Sequence, residues 1–393
     1  MSERDVGSSG IRPRTAFAIV VAGLLLGIVA LEGVSRLLIP NRYFVWPPNF
    51  RMRFDAAKNI PLGVTFPGQL TINAAGMRGD LPNESNEYRI LAVGGSTTIC
   101  VYLDDAHAWP FLLQESLNRS LGREEVWVGN VGRPGHRTDH HILQVEKLLA
   151  QHPDIDMVVL LVGINDLITN LPFAESAASP PRPNARQMMA MSFSIFPGWD
   201  EESPWYRRNV IGRIERIMTW RPMPGTAKLQ PIDEEGEFVA ALRRYRRRAG
   251  RIRHDLPDLE APRAQYIANL NEIIDIARVK GVRILLLTQP TLWKGDLTAE
   301  EQELLWAGGP PFYRLSDGAT YYSVDALATA MKRYNDALLQ VCEAREVECV
   351  DAARRIEATA ANLYDDAHFT ERGSAILAEI VEGYLLERPP WSR

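Results

Sequence analysis

Four short stretches place hydroxyl, amide, carboxylate and imidazole groups next to glycines. The first, Gly94-Gly95-Ser96-Thr97-Thr98, follows the apolar run Ile90-Leu91-Ala92-Val93. Glycine accepts positive φ cheaply, so a strand that stops at two glycines is making a tight turn. Such a turn can cradle a phosphate, present a nucleophile, or only join a strand to a helix. A phosphate loop needs GxxxxGK[ST], and there is no lysine here; the GxGxxG fingerprint is also absent. A GxSxG elbow would need glycine at position 98, where the chain has Thr98. Two readings of Ser96 remain: its backbone N–H and the helix dipole face an anion, or its hydroxyl merely caps the helix.

The second stretch, GNVGRPGHRT at 129–138, brackets Pro134 with Gly132 and Gly135, which exposes backbone N–H groups or simply makes a connecting loop. The third, VGINDL at 162–167, puts Asn165 at a strand tip. Its side-chain amide suits a developing oxyanion, although Asn-Asp is also a common turn pair. The fourth, YDDAHFTERGS, sets Asp365 three residues before His368 on a turn into a helix. A carboxylate there can fix the imidazole tautomer while the other ring nitrogen points outward. The remaining histidines are scattered and read as surface or satisfied core residues, although His136 follows the glycine loop directly. His140 and His141 are adjacent on an expected helix and should face different directions. No metal site is expected, since no further His or Cys cluster accompanies the Asp365–His368 pair.

The elements that must position these groups alternate. Short apolar strands are expected at 89–94, 125–131, 156–163, 282–288 and 346–351, and helices at 109–121, 139–151, 262–280, 324–345 and 371–386. A βα repeat of this kind predicts a three-layer, flavodoxin-like, doubly wound parallel sheet in the order 2-1-3-4-5. Ligands bind at the carboxyl ends of such strands, and all four stretches lie there. Together Ser96, two kinds of oxyanion donor, Asp365 and His368 amount to an acyl-transfer site. The spacing between the third and fourth strands is too long for one crossover, so residues about 170–261 form an insertion. It carries Trp199, Trp205, Trp220 and the basic run RRYRRRAGRIR at 243–253. That run reads as a solvated helix face, with binding to anionic lipid heads or an acidic polymer as the alternative. A second insertion, about 291–323, carries Trp293 and Trp306.

The bulk of the chain is ordinary: 393 residues, 46% hydrophobic, net charge −5, with no hint of a nucleic-acid partner. Cys100, Cys342 and Cys349 do not make a disulfide scaffold; Cys342 and Cys349 are expected as buried free thiols, the alternative in an exported domain being that they meet between the helix end and the fifth strand. The N-terminus is the exception. Residues 16–31, AFAIVVAGLLLGIVAL, carry no charge and follow Arg4, Arg12 and Arg14. They are expected to be an uncleaved transmembrane anchor, the competing reading being a cleaved signal peptide. The expected domains are a tail at 1–15, the anchor at 16–39, a juxtamembrane segment at 40–88 with a hairpin around LTINAAGMRGD, and a catalytic domain at 89–390.

GGST at 94–97, NVGRPG at 130–135, GIND at 163–166 and DDAH at 365–368 resemble the four blocks of the SGNH (GDSL-like) hydrolases. The resemblance covers roughly residues 89–388 apart from the insertion. It departs from the GDS pattern only at Gly95, where the family's Asp is not the nucleophile. It implies Ser96 as nucleophile, His368 as base and Asp365 as its partner, chosen over Asp366 by the DxxH spacing. It implies an oxyanion hole made of the Ser96 N–H, the Gly135 N–H and the Asn165 side chain. Gly135 is preferred to Gly132 because the family glycine lies about five residues after the asparagine. The anchor, NAAGMRG at 73–79 and the region around Trp306 resemble a membrane-anchored bacterial subset of the family.

The resulting expectation is a serine esterase without cofactor or metal. Its substrate would be an O-acetyl or other acyl ester of a small molecule, glycan or lipid, and its catalytic domain would be periplasmic or extracellular. The same residues would serve an O-acyltransferase acting on a cell-envelope polysaccharide. A non-catalytic binding protein of the same fold is the third reading, and the intact residue set argues against it. A nucleotide-binding α/β protein lacks its lysine and glycine fingerprint.

Overall fold

Runs of Val, Ile and Leu that are apolar on both faces are stable as strands only where helices cover both sides of the sheet. The computed structural model describes residues 13–38, 42–54, 63–65, 67–123, 125–172, 183–196 and 232–389. Five such runs are strands: β1 (Tyr88–Gly94), β2 (Val126–Asn130), β3 (Met157–Leu161), β4 (Arg283–Leu287) and β5 (Glu348–Val350). They pair in parallel in the order β2-β1-β3-β4-β5, as the alternation predicts. Every residue of β2 and β3 is buried.

Five long helices complete the layers: α1 (Trp109–Leu121), α2 (Thr138–Gln151), α3 (Glu260–Val279), α4 (Val324–Arg345) and α5 (Glu371–Glu387). α1 packs on α5, while α3 packs on both α2 and α4. Right-handed crossovers put the first pair on one face of the sheet and the other three on the opposite face. The buried stripes repeat at helical spacing, with Leu113 and Leu117 on α1 and Leu377, Val381 and Leu385 on α5. Truncating one of these leucines to alanine would cost about 2–5 kcal/mol. The chain leaves β1 in one direction and β2 in the other, so the crevice of the fold opens at the carboxyl ends of β1 and β3.

The chain divides into two compact units. One contains Met1–Arg42 and Phe196–Pro222, and its described part is chiefly the helix Pro13–Leu38. The 21 residues Arg14–Val34 of that helix are long and apolar enough to cross a membrane. At 1.5 Å per residue they extend about 30 Å, the thickness of a bilayer core. The other unit contains the sheet and its helices.

The short hairpin expected around residues 70–80 is present: Ile72 bridges Arg78 antiparallel, with Asn73 N donating to Met77 O at 2.8 Å and Gly79 N to Thr71 O at 3.3 Å. The Asn73 side chain closes its turn by accepting from the N–H groups of Ala75 and Met77, the other edge of Arg78 pairs with Asn130, and Gly68–Thr71 also pairs with Arg51–Phe54. Two features differ from expectation. Cys342 and Cys349 are joined as a disulfide rather than free, because the left-handed Glu346 ends α4 and returns the chain at once into β5. The basic run is not simply a solvated face. It ends the helix Ile232–Arg247 and enters the short strand Arg251–Arg253, which pairs with Thr320–Tyr322 of the second insertion. The Arg243 and Arg246 side chains turn inward onto backbone carbonyls, while Arg244, Arg247 and Arg248 stay exposed. Trp199, Trp205 and Trp220 lie outside the described residues.

Candidate active site

The turn after β1 is built to hold one serine still. Ser96 opens a single helical turn, Ser96–Ile99, that ends at Cys100 in the left-handed conformation. Its carbonyls are taken up from outside the turn. Trp109 Nε1 donates to Thr97 O at 3.2 Å, Asn130 Nδ2 to Thr98 O at 2.8 Å, and Arg78 Nη1 to Cys100 O at 2.8 Å. Arg78 is buried, also donates to Leu103 O at 2.6 Å, and pairs with Asp105 at 2.8 Å. It acts as a cationic C-cap delivered from the segment before β1. Gly94 has no room for a side chain, since a Cβ there would lie 2.5 Å from Leu161 O of the neighbouring strand.

The glycine loop is a tight turn. His136 N donates to Arg133 O at 3.2 Å, with Pro134 first and Gly135, at φ +75°, second of the two central residues. That is the residue pair a type II turn demands. The Gly132 N–H is engaged by Asn130 Oδ1 at 2.9 Å, whereas the Gly135 N–H has no acceptor among the described residues. Trp46 Nε1 donates to Gly132 O at 2.8 Å and Arg133 Nη1 to Val45 O at 3.0 Å, so the segment before β1 braces this loop too.

Asn165 follows Gly163, whose φ of +123° turns the chain out of β3. Asn165 Nδ2 donates one hydrogen to His136 O at 2.9 Å, which leaves its second for another acceptor. Asp166 faces the other way, accepting from the Thr138 hydroxyl at 2.6 Å and the Thr138 N–H at 3.1 Å. Burial pushes the Asp166 carboxyl up to about 7 against those hydrogen bonds.

Asp365 and His368 occupy the turn that enters α5. Asp365 Oδ1 accepts from the N–H groups of Ala367 at 3.0 Å and His368 at 2.8 Å, which folds the turn around the carboxylate. Asp365 Oδ2 meets His368 Nδ1 at 2.7 Å. The other ring nitrogen, Nε2, lies 2.7 Å from Ser96 Oγ. With Nδ1 carrying the hydrogen for Asp365, Nε2 is left to accept from the hydroxyl. Tyr364 stacks on the imidazole, 10° from parallel with centroids 5.6 Å apart. Burial works to lower the His368 pKa, but the charge and hydrogen bond of Asp365, helped by Asp366, outweigh it and hold the value above that of an ordinary histidine. Burial works to raise the Asp365 pKa, and the His368 charge and hydrogen bonds carry it well below the usual carboxylate range.

Ser96, His368 and Asp365 thus form one hydrogen-bonded chain, and Gly135 and Asn165 arrive beside it from the next two loops. Gly95 lies against both loops: a Cβ there would lie 2.4 Å from Asn165 Nδ2 and 3.6 Å from His136 O. Among the described residues no group of three or more His, Cys, Asp or Glu is placed to hold a metal. His140 and His141 do not point apart. Both are buried, and their rings lie 4.8 and 5.9 Å from that of His136, because α2 turns its first turn toward the glycine loop.

Residues 92–376 match the GDSL-like lipase/acylhydrolase family. The chain belongs to that family. It is an ester-hydrolysing enzyme, and the SGNH resemblance of its four blocks agrees with the match. Solved structures that resemble it include an acetyl xylan esterase from Geobacillus stearothermophilus (15% identity, 77% of this chain and 95% of that one, TM-score 0.41). Another is a member of the lipolytic G-D-S-L family from Veillonella parvula (11% identity, 78% of this chain and 99% of that one, TM-score 0.39). No curated protein matches the chain.

Several groups at the site were not legible as such in the sequence. Trp306 Nε1 donates to Asp365 Oδ2 at 3.0 Å, across 59 residues of chain. Asp366 does not touch His368; it accepts from Trp293 Nε1 at 2.7 Å, Trp306 N at 2.8 Å and Ala307 N at 3.1 Å. Arg78 was visible only as part of a motif. No periodicity or spacing links a side chain to a loop carbonyl far along the chain, so only the fold reveals these contacts.

Proposed function

We propose that this esterase works through Ser96 as nucleophile, His368 as general base and acid, and Asp365 as the carboxylate that orients it. The observation carrying this reading is the continuous path from Ser96 Oγ to His368 Nε2 and from His368 Nδ1 to Asp365, each step 2.7 Å. Ser96 Oγ attacks the ester carbonyl carbon as its proton passes to Nε2. The carbonyl oxygen, now anionic, accepts from the Ser96 N–H, the Gly135 N–H and the free Asn165 amide hydrogen. Collapse breaks the bond to the alcohol oxygen, which leaves with the proton from Nε2. Water then gives a proton to Nε2 and attacks the acyl-serine. The acid departs, and the proton returns to Oγ.

The substrate in this reading is an O-acetyl or other acyl ester on a small molecule, glycan or lipid. The helix Pro13–Leu38 is read as an uncleaved single-pass anchor with the catalytic domain, about residues 89–390, on the outer side of the membrane. Residues 40–88 then lead from anchor to domain while bracing the Ser96 turn. Full-length protein in detergent, assayed on p-nitrophenyl acetate, butyrate and octanoate and on acetylated xylan, tests the chemistry and sorts acyl length. Serine-dependent release is expected, and activity that survives Ser96→Ala in full would sink the assignment. Recovery of the chain in the soluble fraction after alkaline carbonate extraction would refute the anchor.

A further inference from the structure

The two insertions converge on the carboxylate of Asp365. The loop Leu304–Ala307 of the second insertion is fastened at three independent points. Asp366, buried, takes the backbone N–H groups of Trp306 and Ala307. Arg243, from the helix of the first insertion, donates to Leu304 O at 3.1 Å and to Tyr364 O at 2.9 Å. Arg246, from the next turn of that helix, donates to Ala307 O and to Tyr322 O. A loop held this firmly delivers one group, the Trp306 indole N–H, to Asp365 Oδ2 at 3.0 Å. Asp365 Oδ1 is already occupied by two backbone N–H groups of its own turn. Oδ2 is the oxygen nearest His368 Nδ1, and Trp306 is its second donor.

We propose that Trp306 is a positioning residue for the reaction: its indole N–H fixes the plane of the Asp365 carboxylate and draws charge from Oδ2, setting how strongly His368 holds its proton. This rests on the Ser96–His368–Asp365 assignment. Without Trp306, Oδ2 is held only by the imidazole that the carboxylate has to orient, and the terminal torsion of aspartate is broad. The indole is a donor to Oδ2 from a loop fixed independently of His368. The indole also shares the negative charge that raises the His368 pKa, so removing it makes Asp365 the stronger partner of the imidazolium. The insertions therefore act on the base as well as flanking the site.

The test uses the full-length chain in detergent with p-nitrophenyl acetate. Trp306→Phe keeps an aromatic ring and removes the N–H. Replacement of Trp306 by benzothienylalanine, which exchanges the N–H for sulfur in a ring of the same shape, covers the case in which the phenylalanine variant fails to fold. The expected result is a fall in kcat of about ten- to a hundredfold, the worth of one hydrogen bond to a charged group. KM should change little, and the acidic limb of kcat/KM should move to higher pH. Wild-type kcat and an unmoved limb in a folded variant would overturn the proposal. So would a lower kcat accompanied by a lower melting temperature and an unmoved limb, since that describes packing alone. Ser96→Ala, run alongside, separates the two claims: full activity there removes the triad assignment itself, whatever Trp306 does.

Discussion

A Cβ on Gly95 would stand 2.4 Å from Asn165 Nδ2. With Asn165 where it stands, any side chain at this position displaces the amide that the proposed oxyanion hole uses. The atom that must move ends a side chain and is not backbone, so the fold should tolerate the change while the chemistry should not. Gly95→Ala is expected to melt close to wild type and to lose on the order of 10²–10³ in kcat, the worth of one oxyanion donor. Thermal melts and ester kinetics on the same preparation check this, and wild-type turnover would argue that Asn165 is not a donor.

The pH profile follows from His368. As the proposed base it must be neutral to accept the Ser96 proton, and Asp365 holds its pKa above the ordinary value. Activity should therefore fall as pH drops through that raised value. Asp365→Asn removes the charge, so the acidic limb should move to lower pH while kcat drops about 10⁴-fold through loss of the correct tautomer. Profiles of kcat/KM for both proteins decide it; a limb that stays in place would mean that another group titrates.

Asp166 makes a separate prediction about stability. Its folded value of about 7 lies above the 3.8 of a free carboxyl. Between those pH values the folded chain holds more protons than the unfolded one, so stability falls as pH rises. Asp166→Asn keeps an oxygen for Thr138 and removes this dependence. Its melting temperature should exceed that of wild type at pH 8 and approach it near pH 4. Calorimetry at the two pH values is the check, and an equal difference at both would contradict the assignment.

Arg78 ties the segment before β1 to the Ser96 turn. It is buried, paired with Asp105, and donates to Cys100 O and Leu103 O. Arg78→Met removes the charged donor from Asp105, Cys100 O and Leu103 O, leaving Asp105 the Thr71 N–H and Cys100 O the Leu103 N–H, and should cost roughly 1.5–3 kcal/mol. Arg78→Lys should recover little, because one ammonium cannot reproduce the fork. Denaturant unfolding of both variants measures this.

Much of the proposed site was readable because its residues sit at strand ends, where glycine turns interrupt apolar runs. Ser96, Asn165 and the Asp365–His368 pair each stand beside such a break. The choice of Gly135 over Gly132 gains a physical reason in the fold, since the Gly132 N–H is spent on Asn130. What escaped the sequence is contact between distant segments. The basic run suggested a solvated face, yet Arg243 and Arg246 are turned onto loop carbonyls that no local pattern could identify. The Cys342–Cys349 pairing depends on how sharply Glu346 ends α4, and a left-handed non-glycine residue is hard to foresee. Trp306 was conspicuous as a residue but silent as to its partner.

The most direct test of the central claim is covalent. Full-length protein treated with a fluorophosphonate, then digested and analysed by mass spectrometry, should carry the adduct on Ser96, with ester hydrolysis lost in proportion to labelling. His368→Ala should abolish labelling and hydrolysis together. Labelling at another residue, or hydrolysis that continues undiminished after Ser96 is fully modified, would contradict the account.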